Sequence, residues 1–293
     1  MLKPSVLYIE TTNCCNAACI MCPNKLIRRR RGFMSDETFE QALRRCEDSG
    51  WENMQIFLHK EGEPLLDDKI VQRVAEAKKR LGASNKIGLN TNAMLLDENM
   101  AKALLSSGLD EIYFSLDGID NESYGKIRVN LDYGTVVRNI KKFMQLRREG
   151  SVRLKVVMQM LIDSDSSPHV PVFFEQWGQY DCEIYIKRIH SYLDGGHSSL
   201  TKVLSQKQIN ICDDPNRILV IYIDGKTGLC CWDYNNEYSL GTIFNQSLNE
   251  LFNNRKANAI RKAQTQYKGD KIVPCRRCAR IFGNDIISLP TVY

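Results

Sequence analysis

Short apolar runs alternate with amphipathic stretches through the first two thirds of the chain. Val6–Ile9 reads as a strand, and Asp36–Asp48 as a helix with Ser35 as N-cap and Phe39, Ala42, Leu43 and Cys46 at helical spacing. The pattern then repeats. Strands are predicted over Met54–His59, Lys86–Asn90, Glu111–Ser115, Arg153–Leu161 and Glu183–Lys187. Helices are predicted between them over Lys69–Leu81, ended by Gly82, then Glu98–Leu105, Gly134–Arg148 and near Val170–Gly178. Alternating strands and helices with short connections imply an α/β protein with a parallel sheet, and six units can curl into a partial (β/α)6 TIM-like barrel. Reactive groups in such barrels sit in the loops at the C-terminal ends of the strands. The polar motifs fall there: Cys15–Cys22 after the first strand, Glu61-Gly62-Glu63-Pro64 after the second, Asn90-Thr91-Asn92 after the third and Ser115-Leu116-Asp117-Gly118 after the fourth.

Near residue 200 the rhythm stops. Ile218–Ile223, the turn Asp224-Gly225 and Gly228–Cys231 predict a β-hairpin, followed by a helix near Leu248–Lys262. The expected organisation is a barrel over residues 1–199, a small second unit over 200–280 and a tail over 281–293.

Composition narrows the function classes. A 43% hydrophobic and 26% charged chain is ordinary for a globular protein, and 40 basic against 35 acidic residues, net +5, are too balanced for a nucleic-acid binder. No apolar run reaches membrane-spanning length, and the apolar stretch at the N-terminus is too short for a signal peptide core, so a cytoplasmic protein is expected. In that compartment eleven cysteines point to metal or redox chemistry rather than to disulfides.

Cys15, Cys19 and Cys22 form a C-x3-C-x2-C loop. Three thiolates can hold three corners of a [4Fe–4S] cube and leave one iron open, whereas structural zinc needs a fourth ligand and no histidine lies near. This spacing, with Asn16, Gly62-Glu63-Pro64, Thr91-Asn92, Ser115, Asp117 and Arg128 in order behind it, resembles the radical S-adenosylmethionine (SAM) superfamily over roughly the first 190 residues. The resemblance implies that the open iron binds SAM. The backbone at Gly62 and Glu63 would hold its amino group with Thr91 and Asn92 nearby, Ser115 and Asp117 would lie by its ribose, and Arg128 by its carboxylate. It also implies that one electron, from a donor such as flavodoxin or ferredoxin, cleaves SAM to a 5′-deoxyadenosyl radical that removes hydrogen from a substrate carbon. One departure is Glu61, where many relatives carry glycine.

Cys212, Cys230, Cys275 and Cys278 can close a second cube, with a zinc ribbon as the bland alternative. With Asp224-Gly225, Cys230-Cys231-Trp232-Asp233 and Leu240-Gly241, the segment resembles the auxiliary-cluster extension of the SPASM/twitch subgroup. Five cysteines fit its one-cluster twitch form, as in 2-deoxy-scyllo-inosamine dehydrogenase, better than the two-cluster form. Cys231 is left over: an inert neighbour, an alternative ligand, or a thiol that returns hydrogen to a substrate radical. Cys14 reads as structural, Cys46 as a small core residue on the apolar face of its helix, and Cys182 as a buried residue opening the sixth strand.

On the substrate side, Lys187, Arg188 and His190, with Ser191 and Asp194-Gly195-Gly196 beyond them, could bind a hydroxyl, phosphate or carboxylate or take a proton, or could form a solvated loop; Gln159 has the same status. Arg28–Arg31 is a basic run that reads as a solvated face or an attractor for anions. The leading expectation is a dehydrogenase of a sugar or aminocyclitol alcohol. Radical epimerisation with Cys231 as hydrogen donor, thioether-type modification of a ribosomal peptide, and a non-catalytic zinc-binding interaction protein are the alternatives.

Overall fold

The computed structural model describes residues 1–162, 166–188, 210–278 and 281, with the backbone alone for Arg188 and Arg277. Strands β1 (Val6–Ile9), β2 (Gln55–Phe57), β3 (Lys86–Thr91), β4 (Glu111–Ser115), β5 (Lys155–Ile162) and β6 (Glu183–Arg188) pair in parallel in chain order. Helices α1 (Asp36–Ser49), α2 (Ile70–Leu81), α3 (Glu98–Ser106), α4 (Asn121–Ile127), α5 (Tyr133–Glu149) and α6 (Val170–Trp177) fall between them. The α1 start is set as the sequence implies, with Ser35 Oγ accepting the Thr38 N–H at 3.1 Å, and Gly50 ends that helix at a φ of 62°.

Alternation along the strands divides the core in two. Leu7, Ile9, Ile56, Leu58, Ile87, Leu89, Ile112 and Phe114 belong to the large core that contains the buried faces of the helices. Their neighbours Val6, Tyr8, Phe57 and Tyr113 turn the other way and, with Val220 and Tyr222, form an aromatic-rich second cluster. A period of two on strands covered on both sides requires this split.

The C-terminal hairpin is not a layer of its own. Strands β7 (Ile218–Ile221), β8 (Lys226–Gly228) and β9 (Gly241–Thr242) continue the same sheet, with β7 parallel to β1, giving one open sheet in the order β6-β5-β4-β3-β2-β1-β7-β8-β9. The second hairpin strand begins right after the turn at Gly225 and ends at Gly228, which leaves Leu229–Cys231 outside the ladder, contrary to expectation. The helix expected over Leu248–Lys262 is two: α8 (Leu248–Asn253) and α9 (Arg255–Thr265), with a short α7 (Asp214–Arg217) ahead of β7. Asn254 divides them, because its extended backbone and its Oδ1, accepting the Ala257 N–H at 2.9 Å, make it the N-cap of α9. No helix among the described residues is long and apolar enough to cross a membrane.

Candidate active site

The C-terminal strand ends open on one cavity of about 1340 Å³, counting the part open to solvent. Cys15, Cys19, Cys22, Gly62, Glu63, Thr91, Asn92, Ser115, Asp117, Arg128, Gln159, Lys187 and Cys231 all line it. Residues more than two hundred positions apart in sequence therefore meet at one mouth.

Each thiol of the first loop faces a donor. Cys15 Sγ accepts the Ala17 N–H and Cys22 Sγ the Asn24 N–H, both at 3.5 Å, and Arg128 Nη1 donates to Cys19 Sγ at 3.4 Å. Burial pushes the Cys15 thiol up to about 11 and the Cys22 thiol up to about 12, so ionising them calls for a cation in place of the proton. The loop is locked to the one after β2: Glu63 N–H donates to Cys14 O at 2.8 Å, and a Cβ on Gly62 would overlap Thr12 O and stand 2.7 Å from Cys14 O.

Glu63 braces this arrangement. Its carboxylate accepts from Leu65 N–H (3.1 Å), Thr91 Oγ1 (2.6 Å) and Asn92 N–H (2.8 Å), while Asn92 Nδ2 reaches Asn16 Oδ1 at 2.8 Å. With its side chain so used, the backbone of the motif remains to meet a ligand. Asp117 is likewise occupied. Its Oδ1 accepts the Leu161 N–H at 2.7 Å and its Oδ2 the Arg128 Nε–H at 2.5 Å. Its first task is to aim Arg128. Burial works against the charge on Arg128, and the Asp117 carboxylate outweighs it, so the guanidinium stays above its ordinary range. Asp117→Asn would leave a buried guanidinium without its counter-charge and is expected to cost about 3–5 kcal/mol, read as a lower denaturant midpoint.

A second cavity, of about 520 Å³ when the part open to solvent is counted, is lined by Cys212, Cys230, Cys275 and Cys278 among Pro215, Leu229, Trp232, Ile260 and Pro274. Cys230 Sγ accepts the Trp232 N–H at 3.2 Å and Cys275 Sγ faces Gln264 Nε2 at 3.5 Å. The two adjacent cysteines part company here: Cys230 lines this cavity and Cys231 the larger one, while Trp232 lines both. Among the described residues no three Cys, His, Asp or Glu side chains converge closely enough to grip one ion; ligands of a cube stand around a larger body.

The family model of the radical SAM superfamily matches residues 9–164, more than half of the chain, and that of an iron–sulfur cluster-binding domain, SPASM, matches residues 212–279. The chain belongs to the radical SAM superfamily. Among curated relatives of this radical SAM protein, the tungsten-containing aldehyde ferredoxin oxidoreductase cofactor-modifying protein of Pyrococcus furiosus is 22% identical over 92% of this chain and 86% of its own. Among solved structures, BtrN in complex with AdoMet and 2-DOIA aligns at a TM-score of 0.67 and 18% identity, covering 95% of this chain and 94% of that one. Streptococcus suis SuiB bound to its precursor peptide SuiA aligns at 0.70 and 15% identity, over 96% and 71%. At these identities the likenesses carry the fold. Membership brings SAM and [4Fe–4S] clusters as cofactors, and the donor sets of the two cavities fit them: sulfurs that accept N–H bonds, closed in by protein.

Two expected substrate residues are not placed. His190, with residues 189 and 191–196, lies outside the described residues, as does the side chain of Arg188. Lys187 lines the main cavity with its ammonium 4.4 Å from the centre of the Tyr185 ring. Of the basic run only Arg29 is drawn inward, pairing with Glu10 (2.8 Å); Arg28, Arg30 and Arg31 are exposed, with Arg31 donating to Asn24 Oδ1 (2.9 Å) and Arg28 to Glu237 (2.6 Å). Cys46 is buried as expected. Cys182 is only half-buried and sits one residue before β6. The motif reading passed over Tyr8, His59 and Lys60, which also line the cavity. Tyr8 and His59 sit on or next to strands read only for their apolar pattern. The signal available was position: His59 and Lys60 stand immediately before the Glu61-Gly62 motif at a strand end.

Proposed function

We propose that this radical SAM enzyme removes hydrogen from an alcohol carbon of a small hydroxylated molecule, a sugar or aminocyclitol, and releases a ketone. When bound, the reduced first cluster and SAM supply the 5′-deoxyadenosyl radical for that abstraction. Cys15, Cys19 and Cys22 would hold this cluster, and Cys212, Cys230, Cys275 and Cys278 the auxiliary one. Arg128, aimed by Asp117, would grip the SAM carboxylate in a bidentate way, the Gly62–Glu63 backbone its amino group, and Asn92 and Ser115 would line its other side.

The observation that carries the reading is the wall at Cys230-Cys231-Trp232, one side of which faces the larger cavity and the other the four-cysteine cavity. An acceptor for the second electron of an alcohol oxidation would stand directly behind the substrate. The likeness over nearly the full length of BtrN, crystallised with AdoMet and 2-DOIA, supports a small-molecule substrate. The reading includes a one-electron donor such as flavodoxin or ferredoxin and a cytoplasmic setting.

Cys231 favours a second reading. Its placement in the SAM cavity suits a thiol that returns hydrogen to a substrate radical, which would make the enzyme an epimerase. Turnover of cyclitols and sugars in deuterated water separates the two. A product lighter by two hydrogens and free of solvent deuterium is expected. Deuterium on the reacting carbon, lost in Cys231→Ala, would instead establish epimerisation.

A further inference from the structure

His59 follows β2 and lines the large cavity, its ring edge-on to Tyr8 (centroids 5.7 Å apart) and Phe57 (5.3 Å). Its Nδ1 accepts the backbone N–H of Asn90 at 3.1 Å. An amide N–H can only donate, so Nδ1 presents a lone pair and the proton of the uncharged ring sits on Nε2. Nε2 has no hydrogen-bond partner among the described residues and is not one of the buried polar atoms cut off from solvent. Its N–H therefore opens on the cavity.

Burial, followed by the neighbouring Lys60 ammonium, holds the imidazole down to about 3. That ammonium is itself paired with Glu61, and the Tyr8 ring stands edge-on to the imidazole. His59 is thus no proton acceptor at neutral pH: one nitrogen is engaged by the backbone and the other already carries hydrogen. What it offers is a fixed, uncharged donor. Such a donor binds an oxygen lone pair and has nothing to offer an ammonium.

We infer that His59 Nε2–H donates a hydrogen bond to a hydroxyl or carbonyl oxygen of the substrate, and so fixes an oxygen, not an amine, beside Tyr8 in the cavity. The inference rests on the small-alcohol reading and adds to it a named contact and the chemistry of the group it meets.

Two variants separate the ring's inner and outer contacts. His59→Asn keeps an acceptor for the Asn90 N–H and removes the outer donor; His59→Gln carries an amide N–H out to the Nε2 position. Holoenzyme labelled with heavy nitrogen in its four histidines gives one signal set absent from both variants. It is expected to show the Nε2–H tautomer and no titration between about pH 5 and 8. An Nδ1–H tautomer, or titration in that interval, would overturn the inference without reference to any substrate.

Calorimetric binding of 2-deoxy-scyllo-inosamine to the SAM-loaded holoenzyme is the second arm. His59→Asn is expected to weaken binding about 5- to 10-fold and His59→Gln by no more than about 2-fold. Equal binding by the wild type and His59→Asn overturns the inference and leaves the alcohol reading standing. No binding by the wild type of this cyclitol or of any in a panel of cyclitols and sugars removes the reading and the inference together.

Discussion

Cys15→Ala is expected to abolish SAM cleavage, by more than about a thousandfold, while the protein keeps its fold and its auxiliary cluster. The thiol lies on a loop and is half-buried, and in this structure its one backbone donor is the Ala17 N–H at 3.5 Å. Removing it deletes a corner of the cube and little packing. Iron should fall from about eight to about four per chain, the remainder held by the second cysteine group. Cys230→Ala is the reciprocal case, keeping SAM cleavage and losing the other half of the iron. Retained SAM cleavage in Cys15→Ala would detach the reaction from this loop.

The second large effect is expected from Gly62→Ala. Its Cβ would overlap Thr12 O and come within 2.7 Å of Cys14 O, both backbone atoms on the approach to the cysteine loop. Neither can swing aside as a side chain can, and the Glu63 N–H to Cys14 O bond at 2.8 Å holds the two loops at this separation. The methyl group must push the loops apart, at a cost of about 1–3 kcal/mol in stability. The greater loss falls on the ligand, because the same loops carry the proposed cluster ligands and the proposed SAM amino-group contact. SAM affinity by equilibrium dialysis is expected to drop at least about a hundredfold, some 2.7 kcal/mol. Gly125 of α4 is the control: a Cβ there meets nothing within 4 Å, so Gly125→Ala should be neutral or stabilising by up to about 1 kcal/mol. Equal SAM binding by Gly62→Ala and the wild type would show that the loop contact is slack.

What could be read without the structure followed from local rules. Strands β1 to β7 and helices α1 to α3 were legible because each carries its own period, cap or stop, as with Ser35 for α1 and Gly82 for α2. The first cysteine group was legible because its three members share one short loop, and the second because it ends in a C-x2-C pair. Three features were not, two of them because they depend on distant partners. The pairing of β7 with β1 joins residues more than two hundred positions apart, and no local pattern announces it. The break at Asn254 was hidden by apolar residues whose spacing continues across it; only the cap geometry shows that Asn254 starts a new helix. The basic run looked like a surface patch, yet Arg29 lies folded over the Tyr222 ring, 4.5 Å from its centre, and is neutralised by Glu10, a buried acid from the end of β1. His59 was missed for a similar reason: the group that fixes its tautomer is the Asn90 backbone on the neighbouring strand.

The central claim is that two cysteine groups, in two adjoining cavities, hold two clusters of which only the first meets SAM. Electron paramagnetic resonance of the anaerobically reduced protein, with and without SAM, tests it most directly. Two overlapping cluster signals are expected, with SAM altering one of them. That responsive signal should be missing from Cys15→Ala and unchanged in Cys230→Ala. A protein that carries zinc and no iron, or a SAM response that survives in Cys15→Ala and vanishes in Cys230→Ala, would contradict the account.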